Sequence, residues 1–81
     1  MGYQVIAAYI LIQATVGTAA TVAAALRDVP GVVETASVAG PYDVIARAQA
    51  PDIDELGRLV VSRVQALDGV LRTMSCPVVH L

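Results

Sequence analysis

The chain has 81 residues, of which 57% are hydrophobic and 15% are charged, and its formal net charge at pH 7 is −2. A chain of this length forms one domain, and its five basic residues are scattered arginines, so it lacks the clustered positive surface that nucleic-acid binding requires. The single Cys76 excludes an intrachain disulfide framework and a CxxC metal or redox motif.

The N-terminus has neither the positive segment nor the cleavage site of a signal peptide. The longest apolar run, Val5 to Ile12, is too short to span a membrane. We therefore expect a cytoplasmic protein that contacts neither membrane nor nucleic acid directly. Because so small a monomer cannot hide this much apolar surface, we also expect an oligomer interface.

Three elements are predicted in the first half of the chain. The run from Val5 to Ile12 is apolar at every position and rich in β-formers, which predicts a strand buried on both faces. A turn with a threonine cap over residues 15–18 precedes a helix that Pro30-Gly31 ends, and a second strand runs from Val32 to Ala39. The apolar stripe of the helix consists of Ala19, Val22, Ala23, Leu26 and Val29.

A hairpin joins this second strand to a third over residues 43–50. A two-residue loop would place Ala36 and Val38 on the face of Ile45, whereas a three-residue loop, residues 40–42, would align them with Val44 and Ala46. We favour the three-residue loop because it joins two apolar sets. It would gather on the opposite face Thr35, Ser37, Asp43 and Arg47.

The second half begins with a capped helix. Asp52 and Glu55 form a capping-box variant, Asp54 and Arg58 are spaced to pair, and Asp68-Gly69 ends the helix. A fourth strand follows from Val70 to about Val79, bent or closed by Pro77. The buried stripe of the helix is predicted to consist of Ile53, Leu56, Leu59, Val60, Val64 and Leu67.

A repeat determines how these elements combine. Residues 26–38 (LRDVPGVVETASV) match residues 64–76 (VQALDGVLRTMSC), with Gly31 equivalent to Gly69. Each copy is a helix end, a glycine stop and a strand. Right-handed crossovers then give an α+β, ferredoxin-like βαββαβ sandwich, a four-stranded antiparallel sheet with two helices on one face. The open face carries half of the first strand with Val33, Ile45 and Leu71, and a second copy of the chain would cover it as a dimeric α/β barrel.

Few residues of the chain are candidates for a catalytic or metal site. His80 is interpreted as a surface or interface residue and Glu34 as a solvated edge charge. Cys76 is equivalent to Val38 in the repeat and is interpreted as a small buried hydrophobe. With no paired acids, catalytic triad or phosphate-binding loop, the chain is expected to be no enzyme and to use no cofactor or metal.

Gly40-Pro41-Tyr42-Asp43 supports two interpretations. Glycine and proline are ordinary turn residues, so a plain hairpin turn accounts for Gly40 and Pro41. The alternative is a ligand site in which Asp43 binds the ammonium of an amino acid, Tyr42 forms a wall, and loop amides with Thr73 and Ser75 bind its carboxylate. Both interpretations stay open on sequence alone.

Several segments together resemble the effector-binding domain of the Lrp/AsnC regulators, also called the RAM domain. They are AYILIQ, PGVVE, the G-x-Y-D turn, DELGRLVVSRVQALDGV and TMSCPVVHL, and they cover nearly the whole chain. The resemblance implies a single RAM domain over residues 1–81 that takes part in transcriptional regulation. It implies dimers formed by sheet packing, joined into octamer or decamer rings, with an amino-acid effector held between dimers. The matching ligand residues are Gly40, Tyr42, Asp43, Thr73 and Ser75.

The chain begins at the first strand, so we expect no helix-turn-helix domain and regulation through partners such as full-length Lrp/AsnC regulators. Two alternatives stay open: a cofactor-free enzyme of the dimeric α/β-barrel type and a structural oligomer with a degenerate pocket. An ACT-like fold has the same topology, but the end of the fourth strand argues against it.

Overall fold

A computed structural model describes residues 5–80, which form one sheet covered on one face by helices. The sheet order is β2-β3-β1-β4 and all neighbouring strands are antiparallel. The predicted ferredoxin-like βαββαβ fold is confirmed. In chain order the elements are β1 (Ile6–Ala14), α1 (Ala19–Arg27), β2 (Val32–Ser37), β3 (Val44–Ala50), α2 (Ile53–Leu59), a π-helical turn (Val60–Val64) and β4 (Val70–Pro77).

The core lies between the sheet and the two helices. Alternate residues of β1 face the helices, and Ile10 and Ile12 are fully buried opposite Ala46 and Val44 of β3. The predicted stripe of α1 is confirmed, since Ala19 is half-buried and its other four residues are buried. In the second helical stripe only Ile53 is wrong, because 55% of its surface is exposed at the helix start.

The sequence repeat is a structural repeat. Gly31 and Gly69 both have a positive φ, 99° and 93°. The carbonyl oxygen of Gly31 accepts a hydrogen bond from Gln49 N at 2.8 Å, and that of Gly69 accepts one from Thr15 N at the same distance. Each copy therefore leaves its helix through a left-handed glycine that is fixed to a neighbouring segment.

Both copies also contain a β-bulge at the same place. On β2, Val32 pairs with Ala48 and Glu34 with Arg47, so Val33 is the extra residue. Leu71 is the extra residue on β4, at the equivalent position of the repeat. A bulge shifts the alternation of side chains by one residue, and every later residue of the strand changes face.

The bulge explains why the predicted three-residue hairpin loop is wrong. Val38 N donates a hydrogen bond to Asp43 O at 2.9 Å, which leaves residues 39–42 between them. Ala36 lies opposite Ile45 on the open face, whereas Thr35 and Ser37 lie opposite Ala46 and Val44 on the helix face. Thr35 and Ser37 are therefore separated from Arg47, contrary to the prediction.

The prediction that Cys76 is buried is wrong because of the bulge at Leu71. Its thiol-bearing side chain is exposed, and it lies opposite Tyr9 on the open face of the sheet. The equivalence of Cys76 with Val38 holds, because Val38 is exposed as well.

Helix capping is as predicted at α2 and different at α1. Asp52 Oδ1 accepts a hydrogen bond from Glu55 N at 2.8 Å, which confirms Asp52 as the N-cap. Thr18 makes no side-chain cap, because its hydroxyl donates to Thr15 O instead. Arg58 pairs with Glu55 and not with the predicted Asp54. Within residues 5–80, no helix combines the length and apolarity that crossing a membrane requires.

Candidate functional site

The turn Gly40-Pro41-Tyr42-Asp43 lies at one end of the sheet and is attached to β1. Asp43 N donates a hydrogen bond to Ile12 O at 2.9 Å. In the other direction, Ala14 N donates to the carboxylate oxygen Oδ2 of Asp43 at 2.8 Å. Asp43 is thus held by both its backbone and its side chain.

The local fold explains why Asp43 takes this role. The paired part of β1 with β3 ends at Ile12 and Val44, while β1 continues for two more residues along β4. The backbone N–H of Ala14 would need an acceptor on the β3 side, and a buried unpaired amide is costly. The Asp43 carboxylate supplies that acceptor where the strand is missing.

Two further side chains fix the turn. Gln13 Nε2 donates to Pro41 O at 2.9 Å. The Tyr42 hydroxyl donates to Met74 Sδ at 3.7 Å, so that Tyr42 reaches from the β3 side across β1 to β4. Sequence reasoning missed Gln13 and Met74. The polar Gln13 at the end of an otherwise apolar strand was a signal available for the first, and no sequence signal marked the second.

Thr73 and Ser75 lie elsewhere. They are opposite Ile12 and Ile10, whose side chains face the helices. Thr73 Oγ1 accepts a hydrogen bond from Gln65 Nε2 at 2.9 Å, and Ser75 lines a groove beside α2. The structure therefore brings together Gly40, Tyr42 and Asp43 and leaves Thr73 and Ser75 on the opposite face of the same sheet.

The turn has the groups of a binding site for a cation. Asp43 is half-buried, and among residues 5–80 its second carboxylate oxygen, Oδ1, accepts no hydrogen bond. Gly40 leaves open space on its Cβ side. Within the described part of the chain, no three His, Cys, Asp or Glu side chains gather as metal ligands. The chemistry that the turn offers is a charge-assisted hydrogen bond to an ammonium group.

Comparison with known sequences decides the family. The family model described as the Lrp/AsnC ligand binding domain matches residues 7–80. The chain belongs to this family. The expected resemblance is confirmed, and the Lrp/AsnC assignment places the chain among the ligand-binding domains of transcription regulators.

One relative of this Lrp/AsnC domain is the uncharacterized HTH-type transcriptional regulator PH1916 of Pyrococcus horikoshii. The two are 33% identical over 54 residues, which are 67% of this chain and 36% of the relative. The match thus spans little more than a third of that regulator.

Two solved structures have the same fold. The protein TTHA0845 of Thermus thermophilus superposes with a TM-score of 0.88 at 32% identity, covering 94% of this chain and 95% of that one. The transcriptional regulator NMB0573 of Neisseria meningitidis, solved in complex with L-Met, superposes with a TM-score of 0.82 at 22% identity, covering 93% and 50%.

Proposed function

We propose that this Lrp/AsnC domain is a regulatory module that binds an amino acid, or a related small effector, at Gly40, Tyr42 and Asp43. The observation that carries the proposal is the Asp43 carboxylate. One of its oxygens is fixed by Ala14 N, and the other accepts nothing within residues 5–80. A carboxylate that is already fixed, with one oxygen available, loses little further conformational entropy when it binds an ammonium group.

The neighbouring residues suit the rest of such a ligand. Tyr42 is half-buried and its hydroxyl is engaged by Met74, so its ring offers a rigid apolar wall. Gly40 has no side chain to obstruct a ligand that approaches the backbone. The Neisseria regulator was solved with L-Met, which supports an amino acid as the class of effector.

Thr73 and Ser75 enter the proposal as residues of a different subunit. β4 is an edge strand, so its hydroxyl-bearing residues lie at the border of the sheet. The resemblance implies a ligand held between dimers, where the turn of one chain could meet β4 of another. A mixture of the Asp43→Asn and Ser75→Ala chains tests this, because co-assembly would restore some sites with both native residues.

We further propose that the open face of the sheet is the dimer interface. It carries large apolar side chains that one chain leaves without cover, among them Leu11, Ile45, Tyr9 and Met74, and the last two are 45% and 50% exposed. Apolar patches of this kind are typical of association surfaces. Dimers would join into octamer or decamer rings, in the cytoplasm, and could associate with full-length Lrp/AsnC regulators. No catalytic step is assigned to the domain.

A thermal-shift screen against the twenty amino acids tests the binding proposal. A ligand at about 100 times its Kd adds roughly 2.7 kcal/mol to the free energy of unfolding, which raises Tm measurably. Asp43→Asn keeps an oxygen acceptor for Ala14 N but removes the charge, so it should reduce the shift by half or more. Asp54→Asn, at an exposed position of α2, is the matched control and should retain it. If no amino acid raises Tm, the proposal that the effector is an amino acid fails.

A further inference from the structure

A second cleft lies at the far end of the sheet. It has a volume of about 370 Å³ and is bordered by the turn before β2, the end of β3 and the helix that begins with α2. β3 separates it from Asp43, and at about 3.3 Å per residue the two places are roughly 20 Å apart. We call it the arginine cleft and define it by Gly31, Ala50, Glu55, Arg58, Leu59 and Arg63.

At the arginine cleft, Gly31 lets Gln49 and Leu59 approach its backbone closely. Its φ of +99° is a conformation that other residues rarely adopt. An added Cβ would lie 3.1 Å from Gln49 O and 3.4 Å from Leu59 Cδ2. The floor of the cleft therefore consists of the glycine backbone beside the apolar Leu59 and Ala50.

A second arginine, Arg63, lines the cleft from the π-helical turn. Gln65 N donates to Val60 O at 2.8 Å, a hydrogen bond that spans five residues. Arg63 follows Leu59 by four residues, a spacing that places two side chains on the same face of a helix, and Arg58, Leu59 and Arg63 all line the cleft. Single π turns inside helices occur frequently at functional sites.

The net positive charge of the arginine cleft suits a ligand with one negative charge. Arg58 is paired with Glu55. Arg63 makes no ion pair with any residue that the structure describes. The three charged groups leave one net positive charge at Arg63, next to an apolar floor. In a chain with net charge −2 and five basic residues, two of those five line this one cleft.

We propose that the arginine cleft binds a small monocarboxylate with an apolar body, its carboxylate on Arg63 and its apolar part on Leu59 and Ala50. An arginine guanidinium can donate two hydrogen bonds to one carboxylate, a bidentate geometry that suits this role. A phosphate dianion fits less well, because Glu55 lies in the same cleft. The volume is at the small end of the range for ligand pockets. The proposal is independent of the ligand site at Asp43.

Methyl NMR of the whole assembly tests it. Leucine and valine methyl groups are labelled, 3-methylbutanoate is added at constant ionic strength, and the Leu59 methyl signals are followed. We expect saturable shifts at Leu59. The neutral analogue 3-methylbutanamide and inorganic phosphate should each bind at least tenfold more weakly. Methyl signals of the buried Leu26 and Val64 report that each variant is folded.

The variants separate this site from general anion binding. Arg63→Gln should weaken 3-methylbutanoate binding at least tenfold, while Arg27→Gln, an equal loss of charge at the end of α1, should leave it unchanged. Asp43→Asn should also leave it unchanged, so failure of the turn site does not affect this test. Absence of a saturable shift at Leu59, equal binding of the amide or of phosphate, or unchanged binding by Arg63→Gln would each overturn the proposal.

Discussion

Ala14 and Asp43 are joined by a hydrogen bond of 2.8 Å from the backbone amide of one to the carboxylate of the other. The bond completes β1 where β3 has not yet begun. It also orients the acid that we propose as the ammonium acceptor. Structure and binding therefore depend on different properties of one side chain, since the first needs an oxygen acceptor and the second needs a negative charge.

Replacements of Asp43 should separate these two properties. Asp43→Ala leaves Ala14 N without its acceptor and should lower the free energy of unfolding by about 1–3 kcal/mol. Asp43→Asn retains an acceptor and should cost less than about 1 kcal/mol. Urea denaturation at one fixed protein concentration measures both, since the stability of an oligomer depends on concentration. Equal losses in the two variants would contradict the structural role of the bond.

Three glycines form a graded series of alanine substitutions. Gly57 is helical with open space around it, and Gly57→Ala should stabilise the protein by about 0.5–1 kcal/mol. Gly17 has a φ of +83° and open space, so Gly17→Ala should cost about 1–2 kcal/mol from backbone strain alone. At Gly69 an added Cβ would lie 2.8 Å from Thr18 Oγ1, and the loss should be larger still. A urea midpoint for Gly69→Ala at or above that of Gly17→Ala would contradict the close contact between Gly69 and Thr18.

The repeat supplies a matched pair of threonines. Thr35 Oγ1 is buried without a hydrogen-bond partner among residues 5–80, whereas the equivalent Thr73 Oγ1 accepts from Gln65. Thr35→Val keeps the shape of the side chain and removes an unpaired polar atom, which should stabilise by about 1 kcal/mol. Thr73→Val breaks a hydrogen bond and should destabilise by about 0.5 kcal/mol. Thermal unfolding of the two variants compares them directly, and a loss of stability in Thr35→Val would indicate a partner for its hydroxyl.

The proposed dimer interface predicts the effect of a charge on the open face. Leu11 lies opposite Ile45 and Met74 at the centre of that face. Leu11→Glu should convert the assembly into 8.4-kDa monomers, because an unpaired charge would be buried in the interface. Val61→Glu places the same charge at an exposed site on the helical side and serves as the control. Sedimentation velocity distinguishes them. A Leu11→Glu protein that sediments like the unmodified one would exclude this face as the interface.

The fold was predictable because its strongest signals are local and occur twice. Gly31 and Gly69 each follow a helix and precede an apolar strand, so the order of elements could be derived from the chain. The faces of β2 and β4 could not, because a bulge at Val33 and another at Leu71 change the alternation of side chains. A bulge shifts the phase of a period-two pattern, and the residues of these two strands alternate too weakly in polarity to show that shift. The positions of Cys76 and Ser37 were wrong for that reason.

The candidate site was predictable in part for a related reason. Gly40, Tyr42 and Asp43 are neighbours in sequence and must lie together, and their role in binding stays a prediction. Their contacts with Gln13 and Met74 come from strands far away in the chain, and only the sheet order places those strands beside the turn. The π turn Val60–Val64 was equally hidden, because residues 53–67 have the apolar spacing of an ordinary α-helix.

The central claim is that Asp43 binds the ammonium group of an amino acid, and isothermal titration tests it most directly. The amino acid with the largest thermal shift is titrated into the unmodified protein and into Asp43→Asn. We predict saturable binding by the first, and a Kd at least tenfold higher for the second, equivalent to about 1.4 kcal/mol. Equal affinity of the two proteins would contradict the claim.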